Sequence, residues 1–183
     1  MAERQGVTAT CTVRAMSLHD QAALSAHFAR HKAESGRDGI HFMPYLADSD
    51  QGPRGADLAA LEQPLDEPGW QRWFVAQAPD GRIVGHLDLR GDRLRTARHR
   101  CTLGIGIEAS HRGAGVGRRL MQQALDFARQ QVGLEWVELW VFGNNRPAIA
   151  LYQRMGFQTI GTTPDQFRFG RVCVDDIHMV LKL

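Results

Sequence analysis

Cysteine is scarce in this sequence: Cys11, Cys101 and Cys173 are the only three in 183 residues. An odd number, far apart, excludes a disulfide framework and matches no zinc-ligand spacing. It fits a reducing, cytoplasmic compartment, and no metal site is expected. Long hydrophobic runs are missing as well, so no segment reads as a membrane span. The first ten residues are polar and carry no apolar stretch, so no signal peptide is expected. Net charge is nearly absent; a formal +2 is too little to argue for a nucleic-acid partner. The sequence also lacks internal repeats, linkers and low-complexity tracts.

What is there is an ordinary globular composition, 43% hydrophobic and 23% charged, over a length that suits a single domain, residues 1–183. Residues 11–16 read as a first strand. Ser17 is placed to cap a helix and Asp20 to act as its first-turn acid; Leu24 and Phe28 share one face of that helix, which fades near Glu34-Ser-Gly36. Residues 36–68 are irregular, with Gly39, Pro44, Gly52, Pro53, Gly55, Pro64 and Pro68 and a helical patch at 56–61. So long a connection reads either as a binding loop or lid, or as a plain insertion.

Residues 73–78 and 82–90 flank Pro79-Asp-Gly81, which signals a hairpin. Strict alternation would put Ile83, Gly85, Leu87 and Leu89 on one face and Val84, His86, Asp88 and Arg90 on the other. A strand over 101–108 follows, in which Gly104 and Gly106 signal a bulge or a close backbone approach. Val116, Leu120, Met121, Ala124, Phe127 and Ala128 mark an amphipathic helix. Residues 136–142 alternate as a strand, with Val137, Leu139 and Val141 on one side and Trp136, Glu138, Trp140 and Phe142 on the other. Pro147 opens a helix that Gly156 stops near Met155, and 157–161 and 172–183 read as the last strands. The order predicts one α/β domain.

The chemistry is concentrated at 108–121. Three alternating glycines, Gly113, Gly115 and Gly117, stand where a strand ends and a helix starts. Free amides at a helix N-terminus suit a phosphate-bearing ligand, and glycines let backbone approach it. The G-x-G-x-G spacing is not the dinucleotide fingerprint G-x-G-x-x-G. Arg118-Arg119 replaces the Lys and Ser or Thr that a P-loop needs. Arg112, Arg118 and Arg119 add positive charge to this loop. A plain strand-to-helix turn is the bland alternative.

Arg112-Gly-Ala-Gly-Val-Gly117 resembles the R-x-x-G-x-G/A signature of the GNAT superfamily of N-acetyltransferases. Ile105 and Ile107 occupy the preceding strand positions. Asn145-x-x-Ala148-x-x-Leu151-Tyr152-x-x-x-Gly156-Phe157 resembles the second signature of that family. Glu138-Leu-Trp-Val-Phe142 is similar to the branch that acetylates L-amino acids and other small amines; the tail from Phe167 to Asp176 matches that branch imperfectly. The resemblance implies a GNAT-like three-layer α/β (α+β) fold: a central mixed, mostly antiparallel sheet of about seven strands flanked by helices. It implies acetyl-CoA as co-substrate, held by Ile105, Ile107, Arg112, Gly113, Ala114, Gly115, Val116, Gly117, Arg118, Asn145, Ala148 and Tyr152. It further implies direct transfer of acetyl to a primary amine, without an acyl-enzyme.

Such a transfer makes three demands. The amine must lose its proton, the oxyanion needs a donor, and the thiolate leaves better if protonated. Backbone N–H groups near Ile107 suit the second demand, if a splayed bulge frees them. Tyr152 suits the third: a phenol near pKa 10 remains protonated beside a thiolate near 8.5. Asn145 caps a helix, bonds the pantetheine arm, or does both. The base is not identified. Glu138, His86 and Asp88 are candidates, each with a solvated strand face as the bland reading. Trp140 stands where some relatives carry Glu, which favours a water-relayed proton. Glu34, Arg37, Asp38, His41 and Phe42 are expected to shape the acceptor pocket with His86 and Trp140, an Arg forking onto a substrate carboxylate.

Two weaker signals complete the sequence. His27 and His31 have metal-ligand spacing but no third ligand, so a solvated helix face is expected. Arg90, Arg93, Arg95, Arg98 and Arg100 read as a solvated basic turn, without the aromatics of a single-strand binder. The expected partner is a small amine acceptor, with neither nucleic acid nor membrane, and a homodimer is open. The alternatives are a protein N-terminal or lysine acetyltransferase and a non-catalytic CoA-sensing module; pure binding needs no acid such as Tyr152.

Overall fold

The computed structural model describes residues 11–46, 48–53, 55–131 and 133–183; the first ten residues, which carry the signal-peptide expectation, lie outside them. The strands are β1 (Thr12–Ala15), β2 (Gln71–Gln77), β3 (Ile83–Gly91), β4 (Arg100–Ile107), β5 (Trp136–Phe142), β6 (Gln158–Phe169) and β7 (Val172–Lys182). The helices are α1 (Gln21–Glu34), α2 (Leu58–Glu62), α3 (Val116–Arg129) and α4 (Arg146–Arg154). All seven strands form one sheet in the order β1-β2-β3-β4-β5-β7-β6. Every neighbouring pair is antiparallel except β4 and β5. Helices cover both faces, which gives the three-layer α/β arrangement of a GNAT-like fold. No helix among the described residues is long and apolar enough to cross a membrane.

The larger core lies between the sheet and α3. Val116, Leu120, Met121, Ala124, Leu125 and Ala128 bury one helical stripe against Leu87, Leu89, Leu103, Val137 and Leu139. On the other face, α1 sets Leu24 and Phe28 against Trp73, Val75 and Ile83. This pairing corrects the alternation expected for β3. The β2–β3 register slips between Ala76 and Gln77, so Ile83 joins the α1 side and Val84 the α3 side. The extra residue of a bulge inverts the faces beyond it.

α1 begins as expected but through an intermediate. A short 3-10 turn, Leu18–Asp20, follows Ser17, whose backbone N–H donates to Asp20 Oδ2 at 2.7 Å. The Arg14 guanidinium grips both oxygens of that carboxylate at 2.7 and 2.8 Å and holds it well below the usual range. β6 departs further from expectation. It runs to Phe169 rather than stopping at Gly161, because two register shifts against β7 absorb the Gly161 and Pro164–Asp165 interruptions.

Gly104 and Gly106 mark close approaches rather than a bulge; the β3–β4 register is regular from Gly85–Ile107 to Gly91–Cys101. A Cβ on Gly104 would lie 2.7 Å from Asp88 Oδ1, and one on Gly106 2.6 Å from both His31 Nε2 and His86 Cε1. Buried side chains therefore occupy the space that any other residue needs. Gly106→Ala is expected to lower stability by about 1–3 kcal/mol, the usual cost of overpacking. An unchanged urea midpoint would contradict that packing.

Candidate active site

β4 and β5 pair only over Arg100–Thr102 against Trp136–Glu138 and then part. The far edge of β4 stays hydrogen-bonded to β3, where Glu108 N–H donates to the Val84 carbonyl at 2.9 Å. Successive amides of a strand face opposite edges. The N–H groups of Ile105 and Ile107 therefore point into the gap left by β5. The Ile107 carbonyl, on the same edge, accepts from Arg112 Nε at 2.9 Å. The freedom of these amides comes from parting of the strands and not from the bulge expected in the sequence.

The glycine run turns the chain from β4 into α3. Gly113 and Gly115 both have φ of 75°, in the left-handed region that favours glycine, and Gly115 is the N-cap. The first-turn amides of α3 have no carbonyl partner within the helix. Gly117 lets α3 close on its neighbours, since a Cβ there would meet Ile107 Cδ1 at 3.0 Å and Leu151 at 3.1 Å. Asn145 caps α4, its side chain accepting from Ala148 N–H at 3.3 Å.

These parts surround a cavity of about 530 Å³. One side is lined by Ile105, Ile107, Arg112, Gly113, Gly115, Val116, Gly117, Arg118, Asn145, Ala148 and Tyr152. Thus all the residues expected around acetyl-CoA line it except Ala114. The cavity also reaches His31, Asp38, Ile40 and Phe42 from α1 and the loop after it. It consequently passes through the sheet at the β4–β5 gap, from the α3–α4 side to the α1 side. Tyr152 is buried, and that burial pushes its phenol above the ordinary value, so it is a neutral donor throughout the physiological range.

The arginines divide. Arg118 and Arg154 reach both this cavity and an adjoining one between α3 and α4, of about 500 Å³, which Arg129 also lines. Arg112 is held by Glu34 at 3.1 Å and lies over the Phe42 ring at 4.7 Å. Arg119 does not join the glycine loop as expected; one residue on from Arg118, it points round the helix and donates to the Cys11 carbonyl at 2.8 Å.

The expected acceptor residues are dispersed. Phe42 and Asp38 line the cavity. Glu34 stands behind it, its Oε2 accepting from Ala109 N–H at 2.8 Å as well as from Arg112. Arg37 and His41 line a separate surface hollow with Tyr45 and Phe169. His41 stacks on Phe169 at 4.1 Å, and Asn144 Nδ2 donates to the Gly39 carbonyl, pinning the loop to the β5–α4 turn. Trp140 lies outside the cavity lining, half exposed and stacked on His178 at 4.2 Å. Glu138 is tied to Arg100 and His178, each at 3.1 Å.

The histidines correct the sequence reading most clearly. His27 and His31 are not on a solvated helix face, nor are His86 and Asp88 on a solvated strand face; all four are buried. His27 bonds Glu108 through Nδ1 at 2.8 Å and His86 Nδ1 through Nε2 at 2.9 Å, and Arg30 Nε donates to the same Glu108 oxygen. Burial, opposed by Glu108 only at His27, lowers the pKa of His27 and His86, and lowers His31 to about 3. Asp88 is raised by burial to about 6 despite Arg90 at 2.6 Å. Among the described residues no group of three or more His, Cys, Asp or Glu side chains is arranged to hold a metal. His31 lines the cavity although its spacing to His27 reads as a solvated helix face; the ring it meets across the fold, His86, is 55 positions away along the chain.

A glycine loop capping a helix beside a parted strand pair, within this sheet order, is the architecture of an acetyltransferase. The sequence pattern of the acetyltransferase (GNAT) family matches residues 41–157, more than half of the chain, and the chain belongs to that family. It is 29% identical over 124 residues to L-amino acid N-acetyltransferase AaaT of Escherichia coli (strain K12), covering 67% of this chain and 75% of that protein. It is 42% identical over 111 residues to N-alpha-acetyltransferase RimI of Mycobacterium tuberculosis, covering 60% of this chain and 66% of that one. The structure of a GNAT superfamily phosphinothricin acetyltransferase from Sinorhizobium meliloti, in complex with acetyl-CoA, superposes with a TM-score of 0.72 at 18% identity. It covers 95% of this chain and 89% of that chain, and at this identity it speaks to the fold alone.

Proposed function

We propose that this protein transfers acetyl from acetyl-CoA directly to the primary amine of a small molecule, amino acids being the leading class. The observation that carries the reading is the cavity through the sheet. At one mouth the amides of a glycine-capped helix are free for a pyrophosphate, with Arg118 beside them. In the gap, the Ile105 and Ile107 amides suit a pantetheine arm and the oxyanion that forms on its thioester. Tyr152 suits protonation of the departing thiolate. In this role the Asn145 side-chain oxygen stays on Ala148, leaving its amide nitrogen for the arm. Acetyl-CoA is the bound partner in the S. meliloti complex, and an L-amino acid is the acceptor in the name of the E. coli relative.

In this mechanism the amine attacks the thioester carbon from the α1 side. The C–N bond forms, the carbonyl pair moves to the oxyanion, and collapse breaks the C–S bond. The loop that supplies Asp38, Ile40 and Phe42 lines that side, and its presence there supports a small acceptor over a peptide. The 42% identity to an N-alpha-acetyltransferase favours a second reading, in which the acceptor is a protein N-terminus. Free thiol from acetyl-CoA, followed with L-amino acids, arylalkylamines and N-terminal peptides in parallel, separates the two. The small amines are expected to give the faster release. Release with peptides alone would replace the first reading with the second.

A further inference from the structure

We propose that His31 receives the acceptor amine: its Nε2 accepts a hydrogen bond from the amine N–H and turns the nitrogen lone pair towards the thioester. The inference rests on the acetyl-transfer reading and deepens it. His31 is only 5% exposed, yet it lines the cavity together with Gly106, Ile105 and Ile107. The Cβ that Gly106 lacks would lie 2.6 Å from His31 Nε2 and 2.8 Å from its Cδ2. That edge of the ring therefore packs on Gly106, and both residues line the cavity beside the strand whose amides face the gap.

The opposite nitrogen fixes the tautomer. Nδ1 is buried without a hydrogen-bond partner, and the closest carboxylate, Glu34 Oε2, lies 3.8 Å away. A proton on Nδ1 faces that negative charge favourably, whereas a lone pair there would oppose it. The proton therefore resides on Nδ1 and the lone pair of Nε2 is on the cavity side. Glu34 is itself held by the Ala109 amide and Arg112. The ring is fixed as well, stacked on Phe42 at 4.5 Å and 22° and on His27 at 5.6 Å and 13°.

The charged and titratable groups around His31 are His27 and Glu34 on α1, His86 on β3 and Arg112 in the loop before α3; Asp38 and His111 line the same cavity. Burial, then His27 and Arg112, keep His31 neutral at any working pH. It is thus a permanent acceptor that orients the amine without taking its proton, which leaves through water.

The test compares wild type, His31→Phe and His31→Gln, using whichever L-amino acid or arylalkylamine releases thiol fastest from acetyl-CoA. Phe keeps the stack on Phe42 but removes the acceptor, and Gln restores an acceptor oxygen. Loss of one such bond is expected to lower kcat/KM for the amine about 30-fold in His31→Phe. The Gln variant should recover most of it, and both should bind acetyl-CoA as wild type does by calorimetry. The acid limb of kcat/KM should follow the pKa of each amine used. A His31→Phe enzyme within about 3-fold of wild type on that scale would overturn the proposal. So would a Gln variant no better than Phe, loss of acetyl-CoA binding in both variants, or an acid limb fixed near pH 6.5 for every amine. A wild-type protein that releases no thiol with any amine overturns the acetyl-transfer reading itself, and this inference with it.

Discussion

Tyr152→Phe is expected to lower kcat about 100-fold while leaving acetyl-CoA affinity within about 2-fold, the low end of what a positioned acid contributes. Tyr152 lies on α4 with its ring packed among the core residues near Phe157 and lines the cavity. Phe preserves that packing, so the variant removes a proton donor and little else. Burial raises the phenol pKa, which keeps it protonated where a free thiolate, with a pKa near 8.5, is formed. The effect should therefore fall on turnover. Steady-state kinetics with calorimetric acetyl-CoA binding checks both halves. Unchanged kcat would remove Tyr152 from the acid role and leave it a packing residue.

The second large effect concerns stability. The folded protein holds His27, His31 and His86 neutral, with pKa values below the ordinary 6.5 and His31 at about 3. The unfolded chain takes up protons on them as pH falls below about 6.5. Stability is thus fully present above that pH and is lost as pH falls towards the folded values. His31 alone should cost roughly 2 kcal/mol between pH 6.5 and 5. Asp88 works in the opposite sense: held up to about 6, it binds a proton in the folded state between about pH 4 and 6. Asp176, also raised by burial, acts in the same sense as Asp88. Three histidines outweigh the two aspartates, and Asp20, held low by Arg14, loses its contribution only below the ordinary carboxylate value of 3.8. Urea midpoints should fall steadily from pH 7.5 to 5, and His31→Phe should flatten the slope. A midpoint constant over that range would mean that the histidines are not buried neutral.

Most of the fold was legible because local periodicity and tertiary burial agree. Trp136–Phe142 alternates and is a strand; Val116 to Ala128 repeats with helical period and buries that stripe. The glycine loop was legible because its signal is contiguous, and so was the Asn145 cap. What was not legible depends on partners distant in sequence. His27 meets His86 and Glu108, 59 and 81 positions away, and nothing near His27 reports them. Gly104 and Gly106 gave half the answer: they announced a close approach, but not which side chains approach. Strict alternation misplaces Ile83 and Val84 because a bulge changes the phase of an otherwise regular strand. Trp140 and His41 share a stretch or face with cavity residues but stack on His178 and Phe169 of the β6–β7 hairpin, and Arg37 lines the same surface hollow as His41.

Acetyl moves from CoA to an amine across the β4–β5 gap in the proposed reaction. Its most direct measurement couples thiol release from acetyl-CoA to mass spectrometry of the amine, over the small-amine and peptide panel. One acetylated amine is expected for each thiol released, with release dependent on the added amine. Tight CoA binding with no amine-dependent thiol, or thiol without acetylated product, would contradict it.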